Sequence, residues 1–234
     1  MAMIKRCSLK LAVCQLLDNV TSSRALVNGM RKRAAQHNGR ALIAVKPNCY
    51  YAQVTGLHGD EPNDNGDYFR WRDTLLAKNT DGAYAFETWR DKPNLLNHNK
   101  NLRVGTIIDV WPIFGEKAIE FLLETEKREA QRKEPLLIEA LERGKPVTAS
   151  MGVWVTHSLC SVCGNEAKTE DEWCDHLKYH KGRKDPKTGQ RVYEDNRGIT
   201  GMELSWVTVG APADQKATLR RVVASKSIID LLED

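Results

Sequence analysis

No apolar run in this sequence approaches the roughly 20 residues that a membrane-spanning helix needs, so no membrane partner is expected. The start, MAMIKRCSLKLAVCQLL, is basic at Lys5, Arg6 and Lys10, but its apolar stretch is short and interrupted, which argues against a secretory signal. Neither sign of charge dominates. Lys and Arg number 35 against 31 Asp and Glu, and a net +4 is too small and too mixed to imply a polyanion partner. Cysteines are few, six in 234 residues, and in a chain that is not exported they read as reduced thiols or metal ligands rather than disulfides. Cys7, Cys14 and Cys49 have no partner spacing and read as isolated thiols. Internal repeats and low-complexity tracts are absent. The remaining composition, 41% hydrophobic and 28% charged, is that of an ordinary soluble protein. The length suits one large domain or two small ones.

One short stretch stands out against this background. CSVCGNEAKTEDEWCDHLKYH runs from Cys160 to His180. Cys160 and Cys163 form a C-x-x-C, and His176 and His180 follow at a spacing that places both on one helix face. Zinc takes four N or S ligands in a tetrahedron, and a turn plus a helix face supplies them here. The expected ligands are Cys160, Cys163, His176 and His180. Cys174 is an alternative fourth ligand, which would make a three-Cys, one-His site. A DNA-reading finger presents the start of its helix to the groove. That region here is Thr169-Glu170-Asp171-Glu172, followed by Asp175, and it would meet phosphate with like charge. Sequence-specific nucleic-acid binding is therefore not expected, and the zinc reads as structural.

Residues 22–38 read as a helix and ALIAVKP as a short strand. Residues 71–78 read as the start of a helix. AYAFETW alternates from Ala83 and reads as a strand. Residues 102–114 are β-branched and read as a strand, or as a strand pair around Gly105. Residues 116–143 read as the main helical region, with Ile119, Leu122, Leu123, Ile138 and Leu141 as its apolar face and Pro135 as a break. PVTASMGVWVTHSLC reads as a strand containing Ser150, DPKTGQ as a turn, RVYED and residues 202–209 as strands, and residues 217–232 as a helix. The predicted class is α+β: a mostly antiparallel β-barrel or sheet core with surrounding helices and a small zinc-binding insertion. The expected organisation is a single domain over residues 1–234, with the finger-like insertion at 158–184 between two strands.

Three segments in this order, LLNHNKNLRVGTIIDV, TASMGVWV and MELSWVTVGAPADQKA, resemble the phage prohead maturation proteases, a family that shares its fold with the herpesvirus assemblins. The loop NDNGDYF adds to the likeness, which spans roughly residues 60 to 217. The chain departs from the family pattern at Asn99, where Asp is common, in the extra small residue of GAPAD before Pro212, and in the zinc-finger-like element. A Cys-Gly-Asn insertion of that kind is associated with a subset of the family. The resemblance implies a serine endopeptidase that processes scaffold and capsid proteins during phage head maturation. It implies His98 as base, Ser150 as nucleophile and Glu203 as orienting acid, with Asp109 and His157 as rivals for the third place. It also implies scaffold, major capsid and portal-type proteins as substrates or assembly partners. The location would be the host cytoplasm, within the assembling procapsid or virion head, and self-association stays open. The alternative is a catalytically inactive, zinc-stapled structural or scaffold-associated head protein on the same fold.

The residue types suit the chemistry. Serine is a weak nucleophile that needs a base within about 2.6–3.2 Å. Histidine is the natural base near neutral pH, and an acid fixes its tautomer and steadies the imidazolium. Gly152, two residues after Ser150, reads as room for a substrate carbonyl. Trp154 and Trp206 read as core.

Overall fold

The computed structural model describes residues 3–9, 46, 48–142, 147–207 and 218–224, with the backbone alone at 3–9, 142, 148 and 218–224. The helix expected at 22–38, most of ALIAVKP, Cys14 and the GAPAD segment lie outside the described residues.

The described chain is sheet-rich with a few short helices. Its strands are β1 (Met3–Leu9), β2 (Cys49–His58), β3 (Asp67–Phe69), β4 (Pro93–Leu96), β5 (Asn99–Ile113), β6 (Ala118–Glu126), β7 (Thr148–Cys160), β8 (Glu166–Ala167), β9 (Glu194–Val207) and β10 (Thr218–Ala224). The hydrogen-bonded order is β1-β7-β9-β4-β5-β6-β2-β10, with β3 on β9 and β8 on β7. The pairings are antiparallel except for β3 and β4, which run parallel to β9. No ladder among the described strands joins the two ends of this path, so of the two expected forms, barrel or sheet, the described strands make an open sheet. It is strongly curved, since β2 and β7 come into contact although they lie near opposite ends of the path. No helix among the described residues is long and apolar enough to cross a membrane.

Among the described residues the helices are α1 (Lys127–Lys133), α2 (Pro135–Glu142) and α3 (Asp175–His180). Three sequence expectations change. Residues 118–126 form β6, not helix, and the helical region begins only at Lys127. Ile119, Leu122 and Leu123 are buried as expected, but eight successive residues of β6 are buried, and a strand covered on both faces shows no period of two. AYAFETW gives a 3₁₀ turn at Ala85–Trp89 instead of a strand. There the Glu87 carboxylate accepts the Tyr84 N–H at 2.8 Å and caps the turn. Thr218–Ala224, within the expected C-terminal helix, is β10 paired with β2, and its Thr218, Val222 and Val223 favour strand. Residues 71–78 do open in a helical turn, of the π type, at Trp71–Leu75.

The main core cluster includes Trp89, Phe121, Leu123, Met151, Val153, Leu204 and Trp206. A buried polar chain runs through it. Trp206 Nε1 donates to Thr125 Oγ1 (3.0 Å), Thr125 Oγ1 donates to Asn94 Oδ1 (2.9 Å), and Asn94 Nδ2 donates to the Leu204 carbonyl (2.8 Å). Satisfied polar networks of this kind specify one arrangement of their elements. This one fixes β4 against β9 and β6, and so fixes the turn that follows β4.

Candidate active site and candidate metal centre

Strand register assembles the first site. In β7 and β9, Ser150 lies opposite Ser205 and Gly152 opposite Glu203. Side chains alternate along a strand, so these four positions share one face while Met151 and Leu204 point into the core. A register shift follows immediately, between Gly152 and Val153. On the other flank of β9, β4 ends at Leu96, which pairs with Asn99 across a two-residue turn. The turn residues Asn97 (φ 49°) and His98 (φ 57°) are both left-handed, as a type I′ hairpin requires. The Asn97 N–H donates to the Trp206 carbonyl (2.9 Å), and the His98 N–H donates to Ser205 Oγ (3.0 Å). The turn is thereby held over β9, and its imidazole reaches the shared face.

There His98 Nε2 lies 2.7 Å from Ser150 Oγ, and His98 Nδ1 lies 2.7 Å from Glu203 Oε1. Ser205 Oγ donates to Glu203 Oε2 at 2.5 Å. The structure therefore brings together the three side chains that the resemblance implied, from β7, from β9 and from the turn that follows β4. The rivals are elsewhere. Asp109 is buried in an ion pair with Arg90 (3.0 Å), and His157 Nδ1 contacts Thr156 Oγ1. Gly152 has a different use from the one expected. A Cβ there would stand 2.4 Å from Glu203 Oε1, so the missing side chain makes room for the carboxylate rather than for a substrate. Trp206 is core, but Trp154 is 37% exposed on the outer face, contrary to expectation. Ser150 itself is fully buried.

The second site is local in sequence. Cys160, Cys163, Cys174 and His176 place one donor atom each within 4.8 Å of one another. Cys174 takes the fourth corner and His180 lies outside the group. Cys174 caps α3 and His176 sits in its first turn, while His180 is carried about one 5.4 Å turn further on. Gly164 turns the knuckle at φ 72°, and its N–H donates to the Cys160 carbonyl (2.9 Å). The Val162 N–H points at Cys160 Sγ (3.5 Å). Burial pushes the Cys160 thiol up to about 11. Burial also acts to raise Cys163, but the Asn165 backbone N–H and the His176 and Cys174 side chains outweigh it and bring that thiol down to about 7. The His176 Nε2 edge faces buried Asp185 (3.9 Å), which leaves Nδ1 for the thiol group. A carboxylate behind a ligating imidazole is the usual outer support of a metal site. Three thiols and an imidazole are a donor set that suits zinc, and the group could hold a metal ion.

Lys181, just past α3, docks this element on the sheet. Its ammonium bonds Asp67 (2.6 Å) and Glu194 (2.5 Å), and Trp173 Nε1 donates to the other Glu194 oxygen (3.2 Å). Burial opposes the charge on Lys181, but the two carboxylates outweigh it and hold the ammonium well above the ordinary lysine range.

No family model matches the chain, and no curated protein matches it. Among solved structures, the bacteriophage T4 capsid assembly protease gp21 aligns at TM-score 0.46 and 10% identity, over 88% of this chain and 98% of that one.

Proposed function

We propose that the protein is a serine endopeptidase that processes scaffold and capsid proteins in an assembling phage head. The observation that carries the chemistry is the single imidazole bridging Ser150 and Glu203 at 2.7 Å on each side. His98 Nε2 takes the proton of Ser150 Oγ as that oxygen attacks the scissile carbonyl, and Glu203 holds Nδ1–H and stabilises the imidazolium. The proton then passes to the leaving amine, and water repeats the sequence on the acyl-enzyme. The head setting is supported by the order of the three sequence segments that resemble prohead proteases. Cys160, Cys163, Cys174 and His176 hold a structural Zn²⁺, which closes the element within residues 158–184 and takes no part in the reaction. That element belongs to a single protease-like domain over residues 1–234.

A second reading has one observation in its favour. Ser150 is fully buried, as in an inactive, zinc-stapled head protein on the same fold. Attack on a peptide requires that its hydroxyl be uncovered. Co-expression with the neighbouring scaffold and capsid proteins separates the two. Processing by wild type that is lost in Ser150→Ala is the expected result. Identical patterns from both, together with no labelling of Ser150 by a fluorophosphonate, leave the inactive reading.

A further inference from the structure

Ser205 lies two residues beyond Glu203 on β9, directly opposite Ser150, and is fully buried. Its hydroxyl makes two bonds. It accepts the backbone N–H of His98 at 3.0 Å and donates to Glu203 Oε2 at 2.5 Å. We propose that Ser205 is a positioning residue for the Ser150–His98–Glu203 unit, and that it fixes which nitrogen of His98 carries the proton. The proposal deepens the protease reading and rests on it for its consequence in catalysis.

Donors and acceptors can be followed around the ring. A backbone N–H only donates, so Ser205 Oγ receives at the His98 end and its own proton is free for Glu203. Glu203 then accepts at Oε2 from Ser205 and at Oε1 from His98. A carboxylate that accepts at both oxygens requires the proton on Nδ1 of His98. Nε2 is left as a lone pair, 2.7 Å from Ser150 Oγ. The chain of bonds thus leaves the main chain of His98 and returns to its side chain, with Ser205 as the link between them. The same hydroxyl holds the left-handed turn in place. Alanine at this position would strand the His98 N–H and one carboxylate oxygen in a buried place, and both the imidazole and Glu203 would be free to shift. Misplacement of reacting groups by about 1 Å costs on the order of 10²-fold in rate.

The test uses the full chain and two readouts. The first is the far-downfield proton resonance of the His98 Nδ1–H bonded to a carboxylate, assigned by its loss in His98→Ala. The second is cleavage of the co-purified capsid protein. Ser205→Ala is expected to move that resonance upfield or lose it to exchange with water. It is also expected to lower kcat on the order of 10²-fold with KM nearly unchanged, since only transition-state alignment is lost. Ser205→Thr, which keeps the hydroxyl, retains the resonance and most of the turnover. Should the alanine chain not fold, Ser205→Cys fills similar space with a much weaker donor and acceptor and gives the same losses. A wild-type resonance and turnover within about twofold in both the Ala and Cys variants overturn the proposal, as does absence of the resonance from wild type. If the wild-type protein cleaves nothing but its resonance still responds to Ser205, the positioning role stands and the protease reading falls.

Discussion

The two sites share the same pair of strands and are built in opposite ways. Ser150 and Glu203 lie toward one end of the β7–β9 ladder, and Cys160 lies at the other end, opposite Glu194. Ten residues of strand put about 30 Å between Ser150 and Cys160. The Cys₃His group is local, its four donors falling between residues 160 and 176. The Ser–His–Glu group draws on residues 98, 150 and 203. A metal cluster can be specified by spacing alone. A hydroxyl, an imidazole and a carboxylate from distant segments meet only if strand register, a turn and a missing Cβ all agree.

The largest test of this contrast is metal loss. Protein purified without chelator is expected to carry one zinc per chain, with a contribution to local folding on the order of 10 kcal/mol. Cys174→Ala should lose the metal and His180→Ala should keep it, as read by metal analysis. Fluorophosphonate labelling of Ser150 should survive in the metal-free protein. If it vanishes while β7 and β9 stay folded, the two ends are coupled. Next is the reaction itself. Ser150→Ala and His98→Ala should each lower processing by about 10⁴-fold or more, without adding in the double variant and without loss of zinc. Lys181→Met removes the ammonium that the buried carboxylates of Asp67 and Glu194 share. Denaturant melting should show a cost of about 3–5 kcal/mol, at the insertion end alone. Gly152→Ala pushes a methyl into Glu203 Oε1, and on the order of 10²-fold should be lost from kcat with the melting temperature little changed.

The smallest effect belongs to neither site. Lys117 bonds Asp60 (2.8 Å), and this bond together with the Trp71 N–H holds the Asp60 carboxyl below its ordinary range. A group depressed in the folded state contributes stability above its unfolded value and loses it as pH falls through the folded one. Asp60→Asn should therefore cost under about 1 kcal/mol near neutral pH, because the pair is exposed, and nothing in strong acid.

The sequence made the two sites unequally legible. Cys160, Cys163 and His176 were readable from spacing, but the choice between Cys174 and His180 depends on where α3 begins, and no pattern in DEWCDHLKYH marks that residue. His98, Ser150 and Glu203 were readable only through the order of three family-like segments, because no local rule links positions so far apart. Ser205 stood inside one of those segments. Its two bonds depend on the β7–β9 register and on the left-handed turn, neither of which shows in composition. The α+β class was legible, while β6 was hidden by burial on both faces. The 3₁₀ turn at Ala85–Trp89 was hidden because a Glu87 cap outweighed an alternation of period two.

The turn that carries His98 sets folding against chemistry. A two-residue hairpin with both φ values positive is best served by Asn-Gly, and this chain reads Asn97-His98. A side chain in the left-handed region costs about 1–2 kcal/mol. Glycine at position 98 would therefore give a hairpin that closes more readily and a protein that survives more heat, and it would remove the imidazole. Selection for thermal stability alone, applied to a library of this protein, should drift toward that replacement, whereas selection for the proposed peptidase activity should hold the histidine.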